Sequence, residues 1–180
     1  MKFTPLSLAG AYIIEIDPVR DERGYFARTW CRDEFKKRGL IAEIVQCNVS
    51  FNPRRGTLRG MHYQVAPHEE SKVIRCRKGA IYDVILDLRP ASHTYGWWVA
   101  AELSGEEPKA LYVPPGFAHG FQTLLDGTEV DYFMGESFHS ESARGVRWND
   151  PQFRIDWPDP GGAILSERDR SYPDYPVARK

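Results

Sequence analysis

The feature that most limits what this chain can fold into is a succession of about ten short β-rich runs, each closed by turn residues. They cover residues 11–16, 25–30, 44–51, 57–63, 72–77, 80–88, 96–103, 110–113, 119–125 and 128–134. Strands this short and this closely spaced leave no room for crossover helices, so they exclude a βαβ fold and predict an all-β sandwich or barrel. Lys78-Gly79, Ser104-Gly105 and Pro114-Pro115-Gly116 mark turns. Asp126-Gly127 predicts a type I′ hairpin, because that turn needs positive φ at both central residues. One short helix is expected over 32–38, with Phe35 as its apolar contact and Gly39 as its C-terminal cap. Beyond Asn149 the composition shifts to Pro, Gly, Asp and Trp, with a helical turn near 166–170. Residues 150–180 are therefore expected to wrap a single domain spanning 1–180.

Charge and apolar content narrow the partners. The chain carries 24 Lys and Arg against 25 Asp and Glu, a net charge of −1, without a long run of one sign. Neither nucleic acid nor an anionic membrane surface is expected to bind such a balanced chain. No apolar stretch nears the roughly 20 residues that span a bilayer, and residues 1–10 lack a signal-peptide core, so a cytoplasmic location is expected. Cys31, Cys47 and Cys76 are odd in number and have no C-x-x-C spacing, which argues for buried thiols in a reducing compartment.

The densest polar chemistry within a strand is Gly56-Thr57-Leu58-Arg59-Gly60-Met61-His62-Tyr63-Gln64, with Lys72 opening the next strand. A side-chain period of two would put Gly60, His62 and Gln64 on one face and Arg59, Met61 and Tyr63 on the other. A histidine in a strand is more often a hydrogen-bonded core residue than a catalyst, so its neighbours must supply the case for chemistry. A second cluster, Val113-Pro114-Pro115-Gly116-Phe117-Ala118-His119-Gly120-Phe121, runs a Pro-x-Gly-x-x-His turn into a strand. The two clusters resemble the paired half-motifs of the cupin superfamily, which implies a jelly-roll β-barrel. Cupins commonly hold a metal through histidines and a carboxylate, but Gln64 stands where a second histidine is usual. His62 and His119 alone fall short of the three or more donors a first-row metal takes, so no metal and no cofactor are expected.

Further motifs fall in order along almost the whole chain: Asp21-Glu22-Arg23-Gly24-Tyr25-Phe26, Gln46-Cys47-Asn48-Val49-Ser50, Leu58 to Gln64, Asp83 to Arg89, Ser92 to Gly96, Pro114 to Phe121, Trp148-Asn149-Asp150-Pro151 and Leu165-Ser166-Glu167-Arg168-Asp169. Together they resemble the dTDP-4-dehydrorhamnose 3,5-epimerase family. The resemblance implies an isomerase of deoxysugar and polysaccharide biosynthesis that acts on a nucleotide-linked 6-deoxy-4-keto sugar. A ketone at C4 acidifies the hydrogens on C3 and C5. Inversion then needs a base on one face, an acid on the other and a cationic or hydrogen-bonding group at the enolate oxygen. The resemblance assigns these tasks to His62, Tyr132 and Lys72 respectively, and it makes Asp169 the carboxylate that pairs with the histidine. Asp83, on a central strand, is a rival for that pairing. By the same resemblance Arg23 and Arg59 hold phosphates, Phe26 and Phe138 flank the base, and Gln46, Asn48, His119 and Arg168 contact substrate. Three positions depart from the family pattern: Arg28 and Ala143 replace glutamates, and Arg168 replaces a lysine.

Two other classes compete with the epimerase. A metal-dependent cupin enzyme is disfavoured by Gln64. A non-catalytic nucleotide-sugar-binding cupin would have no use for His62, Tyr132 and Asp169 together. A homodimer is expected from the resemblance and from the exposed edges of a small barrel, with residues 23–28 completing the neighbouring subunit's pocket.

Overall fold

The structure is a computed structural model and describes residues 1–176. It is an antiparallel β-sandwich of the jelly-roll kind, with two short helices. A six-stranded sheet runs in the order β1 (Lys2–Pro5), β2 (Tyr12–Glu15), β10 (Lys109–Val113), β7 (Lys72–Lys78), β12 (Thr128–Met134), β5 (Gln46–Asn52). The facing five-stranded sheet runs β13 (Ala143–Gly145), β6 (Leu58–Gln64), β11 (Phe117–Thr123), β8 (Ala80–Asp87), β9 (Trp98–Ser104). β3 (Val19–Asp21) and β4 (Gly24–Phe26) form a separate hairpin, and the helices are α1 (Arg32–Lys36) and α2 (Glu167–Arg170).

Alternation along each strand divides the apolar residues among three clusters. Ile74, Leu111 and Val130 of the six-stranded sheet meet Ile81, Ile85, Phe117 and Phe121 of the five-stranded sheet in the interior. Val84, Leu86 and Ala118 point outward from the five-stranded sheet, where Val146, Phe153, Ile155 and Trp157 cover them. The segment after Asn149 thus wraps the outside of that sheet. On the opposite flank, Phe35 of α1 and Ala42 cover Ile14, Val73, Ala110 and Tyr112. Each buried aliphatic or aromatic side chain stabilises the fold by about 1.5–3 kcal/mol relative to exposure.

Several sequence expectations are corrected. Leu125 to Thr128 is not a hairpin, because β11 and β12 lie in different sheets. Asp126-Gly127 still turns the chain, with Asp126 accepting the Arg55 N–H and Gly127 donating to Pro53, but it carries the chain from one sheet to the other. The tight two-residue hairpin is β3–β4, where 25–30 had been expected as one continuous strand. β1, β3 and β13 were not foreseen, and β11 begins at Phe117, two residues before the expected start. Of the three thiols expected to be buried, only Cys76 is, and Cys47 is exposed.

The alternation expected in β6 also fails. Between the His119–His62 and Phe121–Arg59 pairs, β11 advances two residues while β6 advances three. That extra residue is a bulge, and it moves Arg59 onto the same side as His62 and Gln64. Met61 turns the other way, into the outer cluster. Gly60 makes the bulge possible: its φ is +142°, and a Cβ there would lie 2.6 Å from the Cα of Gly120.

Candidate active site

Near β5 and β6 the two sheets part, leaving a cleft of about 440 Å³. β5 presents Gln46, Asn48 and Ser50 to this cleft on alternate residues, and β12 adds Tyr132 and Met134 by the same spacing. These residues and Lys72 come from the six-stranded sheet; Arg59, His62, Gln64 and His119 form the opposite wall. His62 and Tyr132 therefore face the cleft from opposite sides.

His62 is half-buried, and its Nε2 lies 2.6 Å from Oδ1 of Asp169. Asp169 is buried on α2, where its N–H donates to the capping Ser166. Burial alone would raise the Asp169 pKa, but the hydrogen bond and charge of His62, with help from the Gly60 N–H and Ser166, hold it below the ordinary carboxylate value. Asp83 makes a separate pair: its Oδ1 is 2.6 Å from Nε2 of His119, and its Oδ2 has no partner among the described residues. Burial pushes the Asp83 carboxyl up, against the pull of His119 and Lys72. The two carboxylates weighed as partners of His62 thus serve different histidines.

Tyr132 packs edge-on to His119 at 6.2 Å, and its hydroxyl is 3.4 Å from that of Ser50. Burial raises its pKa further above the ordinary phenol value, so the group is protonated at neutral pH. Lys72 is buried rather than a solvated edge lysine; it pairs with Glu70 at 2.9 Å and donates to the His62 carbonyl at 3.0 Å. Two of its three protons are occupied and one remains for a ligand.

Gln64 has a role that the sequence did not disclose. Its Nε2 donates to the carbonyls of His68 and Ser137, and its Oε1 accepts the His139 N–H at 2.6 Å. Both ends of the amide are spent on joining the 65–71 and 135–142 loops. The imidazoles of His68 and His139 stack 3.5 Å apart at that junction, close to Glu136. Stacked rings direct their in-plane lone pairs side by side rather than toward one ion, and we read this group as loop packing.

The remaining expected residues divide. Arg59 is held by Asn52 at 2.7 Å and has no acidic partner among the described residues. Gln46 donates to Asn48 and accepts the Phe138 N–H, which fixes Phe138 at the rim. Arg168 and Ala143 also line the cleft. Arg23 and Phe26 do not: they sit on the β3–β4 hairpin, where Arg23 pairs with Asp21 and Phe26 is 81% exposed. Arg28 pairs with Glu34, away from the cleft. Ser50, Glu70, Met134 and Arg144 line the cleft without having been singled out from sequence. Strand spacing could have found Ser50 and Met134; nothing local marks Arg144.

Comparison with known proteins decides the family. The model of the dTDP-4-dehydrorhamnose 3,5-epimerase family matches residues 5–176. The chain belongs to this family. An epimerase of that name from Sinorhizobium fredii is 42% identical over 173 residues, covering 96% of this chain and 89% of the relative. The crystal structure of the Elizabethkingia anophelis epimerase superimposes with a TM-score of 0.95 at 38% identity, covering 97% and 96% of the two chains. That of the Bacillus anthracis epimerase, solved with TDP and PPi bound, gives 0.92 at 38% identity, covering 97% and 99%. This epimerase is accordingly an isomerase of the nucleotide-sugar class, with the β architecture of its relatives. No helix among the described residues is long and apolar enough to cross a membrane.

Proposed function

We propose that the enzyme inverts C3, C5 or both of a dTDP-linked 6-deoxy-4-keto hexose in the cytoplasm by removing and returning the proton next to the C4 ketone. The observation that carries this reading is the His62–Asp169 pair on one wall of the cleft with a protonated Tyr132 on the other. His62 is the base. Asp169 fixes its tautomer and stabilises the imidazolium as it forms. The free proton of Lys72 stabilises the enolate oxygen, and Tyr132 reprotonates the carbanion from the far side. Arg59 and Arg168 offer planar cations to the diphosphate, which suits bidentate guanidinium geometry. The test is incubation with a dTDP-linked 4-keto sugar in deuterium oxide, read by NMR for deuterium at C3 and C5 and for the coupling constants that report inversion. Retention of every ring proton would overturn it.

The reading requires no metal ion, since the ketone itself acidifies the proton. Exhaustive chelation is expected to leave the rate unchanged. A loss restored by one particular divalent ion would favour the metal-dependent cupin alternative.

A homodimer is part of the proposal. β5 is an edge strand whose outer face exposes Val49 and Phe51, and the β3–β4 hairpin exposes Val19, Tyr25 and Phe26. Uncovered apolar edges of this kind favour pairing with a second copy. In that arrangement Arg23 and Phe26 reach the partner subunit's cleft, where they contact phosphate and base. Sedimentation at micromolar concentration is expected to give the dimer mass, and Phe26→Ala to raise KM. A monomer with full activity would count against both.

A further inference from the structure

Tyr172 lies just past α2 and takes no part in lining the cleft, yet it touches the residues that do. Its ring occupies the space over Gly145 of β13, where a Cβ would come within 2.1 Å of the ring carbons. Only glycine leaves room for it. From that seat the ring packs edge-on to His62 at 6.3 Å, and its hydroxyl accepts the Nε–H of Arg168 at 2.8 Å. Arg168 has no acidic partner among the described residues, and its terminal nitrogens have no protein acceptor there. With Nε occupied from behind, the two terminal nitrogens are left to the cleft as a fixed fork. A lysine anchored at the same hydroxyl would offer the remaining protons of one nitrogen, not a planar fork of two nitrogens.

We infer that Tyr172 is a positioning residue that aims the Arg168 guanidinium at a phosphate oxygen of the nucleoside diphosphate, so that Arg168 and Tyr172 act as one recognition unit. This rests on the proposed reading of the cleft as a nucleotide-sugar site. The Tyr172 hydroxyl serves ground-state binding rather than proton transfer, since it is engaged by Arg168 and does not line the cleft. Losing one hydrogen bond to a charged group should weaken binding about 10-fold or more.

The experiment is a double-mutant cycle with dTDP as the probe, in which calorimetry gives Kd and turnover of the dTDP-linked 4-keto sugar gives kcat. Tyr172→Phe keeps the ring over Gly145 and so retains the fold, which its melting temperature checks. It is expected to raise Kd for dTDP and KM together while kcat stays near the wild-type value. In an Arg168→Lys background the same substitution should have no further effect, a silence that a merely structural tyrosine would not show. An equal loss of affinity in both backgrounds, or a fall in kcat at unchanged Kd, would overturn the inference. A wild type that binds dTDP with variants indistinguishable from it overturns this inference alone. A wild type that binds no dTDP overturns the proposed function as well.

Discussion

His62→Ala is expected to abolish deuterium exchange at every ring carbon, lowering the rate by about 10²–10⁴, the usual contribution of a positioned general base. Substrate affinity should change little, because the imidazole acts on the proton in flight rather than on the bound ground state. Asp169→Asn should slow the same step less completely. The asparagine can still accept from the ring or donate to it, but it supplies no charge to balance the imidazolium. The pairing at 2.6 Å between a half-exposed histidine and a buried carboxylate is what makes this pair the sensitive point. Asp83→Asn should leave exchange largely intact by comparison, since Asp83 is paired with His119. Near-normal exchange in His62→Ala, measured by NMR in deuterium oxide, would require another base.

Tyr132→Phe is expected to separate exchange from inversion. The ring would keep its edge-on contact with His119 and its tilted contact with Phe121, so the cleft should hold its shape. What disappears is a phenol that burial keeps protonated at neutral pH and that can therefore serve as the acid. His62 would still remove a proton and return a solvent deuteron to the same face. Deuterium should accumulate at the exchanging carbon with the substrate's configuration retained, and inversion should fall by about 10² or more. If the variant inverts at the wild-type rate, the tyrosine is packing and another acid serves. If it loses exchange too, the hydroxyl orients the sugar.

Local pattern disclosed those parts of the molecule that local physics controls. β8 and β12 are long, rich in β-branched, aliphatic and aromatic residues, and bounded by turn residues, so the sequence predicts them well. β3 and β13 are three residues each and owe their conformation to the strand beside them, which no window along the chain can see. Asp126-Gly127 was read as a hairpin because turn chemistry reports where the chain bends and not which sheet it joins next. The faces of β6 were misassigned for a comparable reason: a bulge is a property of two strands, set here by the approach of Gly60 to Gly120. In the cleft, the residue types were legible as chemistry, but the choice between Asp83 and Asp169 as the partner of His62 was not. Both carboxylates are far from His62 in the sequence, and only the path of the tail over β6 brings Asp169 to it. The positions of Arg23 and Phe26 outside their own cleft had no local signature at all.

The distance along the chain between His62 and Asp169, 107 residues, sets the order in which a newly made molecule acquires its parts. A ribosome completes both sheets, and with them the walls of the cleft, before it adds the segment that carries the carboxylate. Until α2 docks, the nascent barrel offers a histidine that no Asp169 carboxylate holds in one tautomer. Premature termination between β13 and Ser166 would leave a chain with the residues of every strand, an incomplete apolar cover over the five-stranded sheet and no carboxylate to orient the base. Activity is thus a late event in biosynthesis, and so is the phosphate recognition assigned to Arg168.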